Sequence, residues 1–484
     1  MKLQRTMVES STSLRRPIAV PRIITYEEDW RSEWASDLTV LMQKAEDSEQ
    51  TFSYCSSCRS EASRKKTGSY YTPSDASLFF WTEFLALNGV NDRGEIADFW
   101  ANHHFIEPSV GAGALVLALF KKGAELGLSL HQLALIELTI IDVNQAALNF
   151  VRNQLSWLER KWGLAFCNIQ YICCNFLECR LPLSQRTPLF FGNPPFVTNS
   201  KGGEWRNLFA DFLSRALGLC GPEGRCHFIL PLSVAFSRDY ARLRSQIRAT
   251  GKSIALCSFD NIPDTLFPSG KPEHNNTNKA NSQRCSILSI FPSKTPRILS
   301  TKMHRWRKED RNRLLSSPPQ YHDVTDYCLD EQFPRPENAA ILRYLRGAKN
   351  CPRFRDITSN DGQHNLFVAT VARNFIGFRE DHSSSVHNLH FSTKRDFYVS
   401  LLILSSDVFL DYWRTTGDGF HVTRANVMEF PLHQNLMTII EDEAAKGRKI
   451  WETRMDFAKT KRHPNGITTS YDFSPSALSL INHF

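Results

Sequence analysis

The chain has 484 residues, of which 42% are hydrophobic and 22% charged, and its formal net charge is +8. This composition is ordinary for a soluble globular protein of two or three domains, and without an apolar run of about 18 residues no transmembrane helix is expected. The segment 1–16 lacks the apolar core of a secretory signal, so we expect a cytoplasmic protein with reduced cysteines.

Charge and cysteine spacing limit the expected partners. A pI of about 8.8 permits contacts with nucleic-acid phosphates but does not require them. Cys55 and Cys58 form a single C-x-x-C pair, and no second pair follows at the spacing of a zinc ribbon. We therefore expect no metal site.

Residues 1–66 are polar and mixed, which predicts an N-terminal arm and linker. Within them, 30–44 can form an amphipathic helix with large apolar side chains along one stripe, typical of a docking surface. The stripe consists of Trp30, Trp34, Leu38, Leu41 and Met42. Residues 53–66 are rich in serine, cysteine and charge, which indicates a linker.

The stretch GSYYTP (68–73) precedes a helix predicted over 76–87. Its adjacent tyrosines can supply a stacking wall and a hydroxyl group to a ligand. A helix cap with packed aromatic side chains explains the same pattern, so both interpretations stay open.

A glycine turn follows the next predicted strand. The strand ends at Glu107 and Pro108, and Gly111 and Gly113 then precede a helix predicted over 114–126. Glycines let a backbone approach a ligand closely, and a helix N-terminus favours negative charge. The turn is therefore a candidate cofactor loop.

Polar residues end the next two predicted strands. Asp142 ends the strand 134–143, where a carboxylate can bind ribose hydroxyls. It can also cap the helix predicted over 145–157, for which Asn144 is an equally good cap. Asn175 follows the third predicted strand and can hydrogen-bond the edge of a base.

The chain is organised around a fourth apolar run, 189–191, that stops at Asn193-Pro194-Pro195-Phe196. A residue before proline is pushed into an extended conformation, so Asn193 should present its amide beyond the strand. An amine-bearing planar ring fits such a loop, because its NH₂ group can donate to the Asn193 oxygen and the Pro194 carbonyl while its face stacks on Phe196. A buried strand followed by a plain Pro-Pro turn is the alternative.

Strands and helices alternate between 103 and 292, which predicts a doubly wound, mostly parallel α/β sheet. After the fourth strand, the predicted strands are 225–230, 253–259, 262–267 and 285–291, and the predicted helices are 209–220 and 241–249.

Composition changes after residue 296. The segment 302–313 interleaves basic residues with a tryptophan, which suits either a phosphate backbone or a charged linker. Short strands and helices follow up to 435. A helix is predicted over 436–457, and a polar tail follows it.

Taken in order, these stretches resemble the gamma-type DNA N6-adenine methyltransferases, the group that includes type I and type IIG modification enzymes. The family pattern is a Tyr-Thr-Pro loop, an Asp-Pro-x-x-Gly-x-Gly turn, an Asn-Pro-Pro-Tyr/Phe loop and a C-terminal target-recognition domain. The matching stretches here are GSYYTP (68–73), EPSVGAGAL (107–115), NPPF (193–196) and the segment 401–432.

The resemblance covers 65–435 and implies a Rossmann-like methyltransferase sheet followed by an α+β domain. It divides the chain into an arm and linker (1–66), an S-adenosylmethionine-dependent methyltransferase domain (67–295), a DNA target-recognition domain (296–435), and a C-terminal helix and tail (436–484).

The resemblance also implies the cofactor, the substrate and the site residues. S-adenosyl-L-methionine would be held by Tyr71, Thr72, Glu107, Pro108, Gly111, Gly113, Asp142 and Asn175. An adenine flipped out of double-stranded DNA would be held by Asn193, Pro194, Pro195 and Phe196. Its N6 amine would take the methyl group directly, in restriction-modification or phage defence, and a separate restriction or specificity subunit is a further partner that the resemblance allows.

The sequence departs from the family at two positions. Glu107 stands where the family usually has Asp, and Asn175 stands near the place of an acidic residue. These departures leave open a DNA-binding defence component with a degenerate cofactor site. Methylation of RNA or of a protein glutamine amide also stays open, because release-factor glutamine methyltransferases and some RNA methyltransferases share the Asn-Pro-Pro-aromatic loop. The Tyr-Tyr-Thr-Pro stretch and the long C-terminal region favour DNA methylation.

Overall fold

The computed structural model describes residues 29–55, 72–199, 204–267, 284–327, 332–380, 385–442, 444–463 and 466–473. Within these ranges the chain forms two hydrophobic cores, each built on a β-sheet. Tyr71, predicted to bind the cofactor, and Cys58 lie outside the described residues.

The first sheet holds nine strands of the described chain. They are β1 (His103–Glu107), β2 (Glu137–Asp142), β3 (Ile169–Cys173), β4 (Thr187–Gly192), β5 (Arg225–Pro231), β6 (Ser253–Phe259), β7 (Cys285–Phe291), β8 (Ile298–His304) and β9 (His322–Asp323). Their order is β3-β2-β1-β4-β5-β7-β6-β8-β9. Only β7 and β9 run antiparallel to their neighbours among these strands. The predicted doubly wound, mostly parallel, Rossmann-like α/β sheet is confirmed.

Helices accompany this sheet along the chain. They are α1 (Asp29–Cys55), α2 (Ser74–Leu87), α3 (Arg93–Asn102), α4 (Ala114–Glu125), α5 (Leu130–Ala134), α6 (Gln145–Trp162), α7 (Leu208–Leu219), α8 (Ala241–Ala249) and α9 (Arg311–Leu314). The central strands are apolar because they are covered on both faces, and Leu189, Phe190 and Phe191 are fully buried.

The predicted N-terminal helix is confirmed as part of α1, and its apolar stripe is a docking surface. Trp34 and Leu38 are fully buried against the first core. Trp34 meets Trp162 of α6 edge to face, with ring centroids 5.5 Å apart, and Trp30 joins both rings at 6.4 and 6.5 Å. This arm is therefore an integral part of the first core.

One prediction about the far side of the sheet needs correction. Residues 262–267 form no strand: β7 lies between β5 and β6, and Pro263 has no N–H group to donate to a ladder. The first sheet also continues past 295 into β8 and β9, so the sheet ends later than the predicted methyltransferase domain.

The second core carries an antiparallel sheet of five strands in the described ranges. They are β10 (His364–Ala369), β11 (Phe378–Arg379), β12 (Val386–Phe391), β13 (Ala458–His463) and β14 (Gly466–Tyr471), in the order β12-β10-β11-β14-β13. The helices of this region are α10 (Ala339–Gly347), α11 (Lys394–Ser405), α12 (Asp407–Thr416), α13 (Arg424–Met428), α14 (Gln434–Asp442) and α15 (Ala444–Glu452). The predicted second, α+β domain is confirmed as a fold.

The end of the chain differs from its prediction. The helix predicted over 436–457 is two helices, α14 and α15, and the predicted polar tail supplies β13 and β14. Tyr471 is fully buried in the second core, and this burial explains why the tail forms strands. None of the helices in the described ranges has the length and apolar character needed to cross a bilayer.

Ionic contacts join the two cores. Arg284 and Arg305 each donate through Nε to Asp260, at 2.7 and 2.8 Å. Arg305 also donates to Glu337 at 3.3 Å, and the Arg284 guanidinium lies 5.5 Å from the ring centre of Phe420. Arg305 belongs to the basic segment 302–313, so part of that segment serves the interface between the cores.

A buried carboxyl lies on α2. Glu83 is fully buried, accepts a hydrogen bond from the Tyr321 hydroxyl, and its Oε2 has no partner among the described residues. Burial raises the pKa of Glu83 to about 8, against a smaller lowering by the Tyr321 bond. At neutral pH this side chain is therefore mostly protonated in the folded protein.

Candidate active site

The candidate site lies at the carboxyl edge of β1, β2 and β4. The chain runs from β1 to β2 to β3 on one side of β1 and then crosses to β4 on the other side. The crevice between β1 and β4 is thus a topological switch point, where open α/β sheets bind ligands. Glu107 ends β1 there, and Asn193 directly follows Gly192 at the end of β4.

Asp142 holds the glycine turn. The Gly111 N–H donates to Asp142 Oδ2 at 3.0 Å, and the Asn144 N–H donates to Oδ1 at 2.8 Å. Burial raises the pKa of Asp142, while the hydrogen bonds that it accepts from backbone N–H groups oppose this rise. Asn144, not Asp142, caps α6, because its Oδ1 accepts from the Ala146 N–H at 3.0 Å. Asp142 is therefore free of the capping role that the sequence left open.

The second glycine of the turn serves packing. Gly113 precedes α4 as its N-cap and has a φ of +83°, a backbone conformation that residues other than glycine rarely adopt. A Cβ atom there would lie 2.9 Å from Val151 of α6.

Beside the turn, Val143 follows Asp142 and is 71% exposed, so an apolar surface lies next to the carboxylate. The sequence analysis missed Val143, although an apolar residue after a strand-ending Asp could have indicated it.

Glu107 is enclosed at the switch point. Its side chain is 1% exposed, and Oε1 accepts from the Ser109 N–H at 3.3 Å. Burial raises the pKa of Glu107 well above its ordinary value; the Ser109 bond opposes this, and the charge of Asp142 adds to it. A Cβ atom on Gly192 would overlap Glu107 Oε1. Gly192, which the sequence analysis also missed, therefore makes room for the longer acidic side chain.

We expect Gly192→Ala to destabilise the protein by about 1–3 kcal/mol, because the enclosed carboxyl of Glu107 must shift to admit the methyl group. Denaturant unfolding measures this change. Gly218→Ala on α7 is the matched control, since a Cβ atom there meets nothing within 4 Å. Equal stability of the two variants would contradict the prediction.

Asn193 is where three predicted stretches meet. Its Nδ2 donates to Thr72 Oγ1 at 3.3 Å, and its carbonyl oxygen accepts from the Ser109 hydroxyl at 3.4 Å. Thr72 is 6% exposed, so the Tyr-Thr-Pro loop is packed against the Asn-Pro-Pro-Phe loop rather than standing apart from it. Ser109 connects both to the glycine turn, a contact that spacing in the sequence does not reveal.

The remaining residues of the Asn-Pro-Pro-Phe loop are largely covered. Pro194 is buried and Pro195 is half-buried. Phe196 is 8% exposed and meets Phe209 edge to face, with ring centroids 6.5 Å apart. In this arrangement little of the Phe196 face is open to a ligand.

Asn175 closes its own turn. Its Oδ1 accepts from the Leu177 N–H at 3.1 Å, and its Nδ2 donates to Glu178 at 3.0 Å. Such side-chain bonds to a backbone N–H two residues ahead are typical of turns that begin with Asn. Its predicted bond to a base edge stays a prediction.

Comparisons with known proteins add solved structures of similar fold. No protein-family model matches the chain, and no curated protein matches it. A DrdV–DNA complex is 13% identical with a TM-score of 0.46, over 85% of this chain and 45% of that one. The type IIL restriction-modification enzyme MmeI in complex with DNA is 14% identical with a TM-score of 0.46, over 82% of this chain and 71% of that one.

A third neighbour is described as a class I S-adenosylmethionine-dependent methyltransferase from Listeria monocytogenes. It is 12% identical with a TM-score of 0.36, over 56% of this chain and 73% of that one. The chain spans about half the length of the first of these structures, DrdV.

Proposed function

We propose that the protein transfers a methyl group from S-adenosyl-L-methionine to the N6 amine of adenine in DNA. One observation carries the proposal: the Gly111–Asp142 turn and the Asn193 loop, each predicted separately, meet at the switch point. Ser109 of the turn links them by donating to the Asn193 carbonyl oxygen, and Thr72 brings the Tyr-Thr-Pro loop to the same asparagine. We therefore assign the cofactor and the planar amine to this one crevice.

The residues of the turn fit the proposed cofactor. Asp142 is held by two backbone N–H groups and keeps further lone pairs for ribose hydroxyls. Val143 offers an exposed apolar surface for an adenine face. We assign the enclosed carboxyl of Glu107, at the end of β1, to the ammonium group of the methionine part.

The Asn193 loop would place the substrate amine. When bound, S-adenosylmethionine supplies an electrophilic methyl group on a sulfonium. Asn193 Oδ1 and the Pro194 carbonyl would accept hydrogen bonds from the two N–H groups of the adenine amine, which turns its lone pair toward that methyl group. Once methylated, the nitrogen would lose one of its two protons to solvent. This is catalysis by orientation and by fixed dipoles, and it needs no covalent intermediate.

DNA is the substrate that the second domain and the charge favour. Adenine paired in a duplex has to leave the stack before its N6 can enter a crevice, at a cost of a few kcal/mol. A protein with a net charge of +8 can hold phosphates on both sides of the flipped base. We assign the second domain to this task, in a restriction-modification or defence setting.

The test is methyl transfer from labelled S-adenosylmethionine to unmethylated genomic DNA, followed by nucleoside analysis. N6-methyladenine as the labelled product is the expected result. Label found in RNA or in protein glutamine would mean that the substrate is not DNA, while methyl transfer would remain the reaction. If the protein does not bind S-adenosylmethionine, the proposal is wrong and a DNA-binding protein with a degenerate cofactor pocket is the better explanation.

We further expect cofactor affinity to fall as pH falls below the raised pKa of Glu107, and Glu107→Gln to weaken this dependence, with the remainder due to Asp142, whose pKa burial also raises. Burial raises the pKa of Glu107, so its carboxyl is protonated at low pH, whereas a bound ammonium favours the charged form. Affinity should therefore rise with pH. Equilibrium dialysis below about pH 7.5 measures it, since an α-amino group itself titrates near 7.7–8.0.

Glu178→Gln is the control for this experiment, because Glu178 is exposed and bonds only the turn amide of Asn175 among the described contacts. The Glu178→Gln variant should keep the pH dependence of the parent. An unchanged pH dependence in Glu107→Gln would mean that another group takes up the proton.

A further inference from the structure

Arg311 joins three distant segments beside the candidate site. Its side chain is 12% exposed and forms a two-point ion pair with Asp75: Nε donates to Oδ2 at 2.5 Å and Nη2 donates to Oδ1 at 2.8 Å. The same guanidinium donates to the carbonyl oxygens of Thr265 and Leu266, at 2.7 and 3.0 Å. Its donors are therefore turned inward, although its segment is one whose basic residues suit a phosphate backbone.

On one side, Arg311 acts on the start of α2. Asp75 lies in the first turn of this helix, and Pro73 is its N-cap. Thr72 directly precedes Pro73 and accepts the bond from the Asn193 amide at 3.3 Å. A short, continuous path of contacts thus runs from Arg311 to the amide that is proposed to hold adenine.

On the other side, Arg311 is tied to a buried part of the first core. Thr265 and Leu266 are both fully buried. The preceding Asp264 accepts from the indole N–H of Trp306 at 3.1 Å, which joins the segment to the residues after β8. The start of α2 is therefore held against a buried segment of the first core.

A second contact supports the same helix start. Ser74 donates through its hydroxyl to Glu46 of α1 at 2.9 Å. Glu46 restrains the first residue of α2, Ser74, from the side of α1, and Arg311 restrains the second residue, Asp75, from the side of the segment 264–266. Only the planar guanidinium can make the two-point pair and the carbonyl bonds together, because a lysine is a single point charge.

We infer that Arg311 is a positioning residue of the methyl-transfer site, which holds Thr72 and, through it, the Asn193 amide in register with the cofactor pocket. The inference rests on the proposed function. A purely structural ion pair would affect folding and leave the chemistry of the folded protein unchanged, so the two roles can be separated.

The test uses the full chain with Arg311→Ala, Arg311→Lys and Asp75→Asn, and Arg313→Ala as the matched control. Arg313 lies on the same short helix, is 84% exposed and pairs with Asp310. Each variant is assayed well below its melting temperature, with DNA at saturating concentration, for kcat and for the KM of S-adenosylmethionine, so that loss of a phosphate contact at Arg313 does not enter the comparison. Hydrogen exchange of the amides at the start of α2 is measured alongside.

We expect Arg311→Ala to lower kcat by about 10²-fold, since a shift of about 1 Å at a reacting group has an effect of that size. Arg311→Lys should recover part of the loss, and Asp75→Asn should act in the same direction. The amides at the start of α2 should exchange faster in all three variants, and Arg313→Ala should match the parent in every measurement.

The inference is overturned if folded Arg311→Lys and Asp75→Asn keep the kcat and KM of the parent, or if Arg313→Ala loses as much activity as they do. If Arg311→Ala does not fold, these two milder variants decide the question. A parent protein that binds no S-adenosylmethionine and transfers no methyl group would instead overturn the proposed function, and the inference with it.

Discussion

Asn193→Ala is expected to lower the rate of methyl transfer by about 10²–10³-fold, the usual effect of removing a fixed dipole at a reacting group. The alanine variant loses the proposed acceptor for the adenine amine and the bond to Thr72 at 3.3 Å. Cofactor affinity should stay close to that of the parent, because Asp142 and the glycine turn do not depend on the Asn193 side chain. Single-turnover transfer and equilibrium dialysis measure the two quantities.

The comparison needs a control that removes an asparagine elsewhere. Asn149 is exposed on α6 and bonds Gln145 of the same helix, so Asn149→Ala should transfer methyl groups at the parent rate. Asn193→Asp keeps an acceptor oxygen but loses the donor to Thr72, and we expect it to fall between alanine and parent. A full rate in Asn193→Ala would rule out the proposed role of the loop.

The largest effect on stability is expected at Glu83. Its pKa in the folded protein is raised from 4.5 to about 8 by burial, so the folded state holds a proton that the unfolded state releases. The contribution of Glu83 to stability should therefore be fully present below the unfolded pKa and decrease as pH rises, by up to about 1.4 kcal/mol per pH unit, until the folded pKa is passed. Glu83→Gln should remove this decrease.

Denaturant midpoints across that pH window measure the effect. Tyr321→Phe is the companion variant: it removes the hydrogen bond that Glu83 accepts and leaves the carboxyl buried. Because that bond lowers the pKa of Glu83, its loss should extend the pH-dependent range upward and keep the slope. A parent and a Glu83→Gln variant with equal slopes would show that Glu83 is ionised or hydrated in the folded state.

Much of the first domain could be predicted because its elements have strong local signals. Apolar runs bounded by turns mark β1 to β7, and the amphipathic stripe at Trp34 and Leu38 marks α1. The prediction failed where an apolar run was not part of the sheet. Residues 262–267 are buried in part as a loop whose carbonyls bond Arg311, and local apolarity cannot distinguish that from a strand.

The places of the candidate residues in the fold could be predicted from the sequence, and their contacts could be predicted less well. Asp142 and Asn193 follow strands whose ends must meet at one edge, so their approach follows from the topology. The fit of Gly192 against Glu107 and the bond from Ser109 to Asn193 join residues far apart in sequence, and no periodicity encodes them. The ion pair between Arg311 and Asp75 could not be predicted for the same reason, since the local sequence of a basic segment is the same whether its side chains face solvent or an aspartate.

The pairing of β11 with β14 has a consequence for synthesis on the ribosome. β11 is short and lies between β10 and β14, so its outer edge stays open until β14 has been made. Tyr471 and Phe473, both almost completely buried, are added at the same late stage. While the chain is still growing, the nascent second core carries an unpaired strand edge and an incomplete set of buried side chains, the features that lead to aggregation.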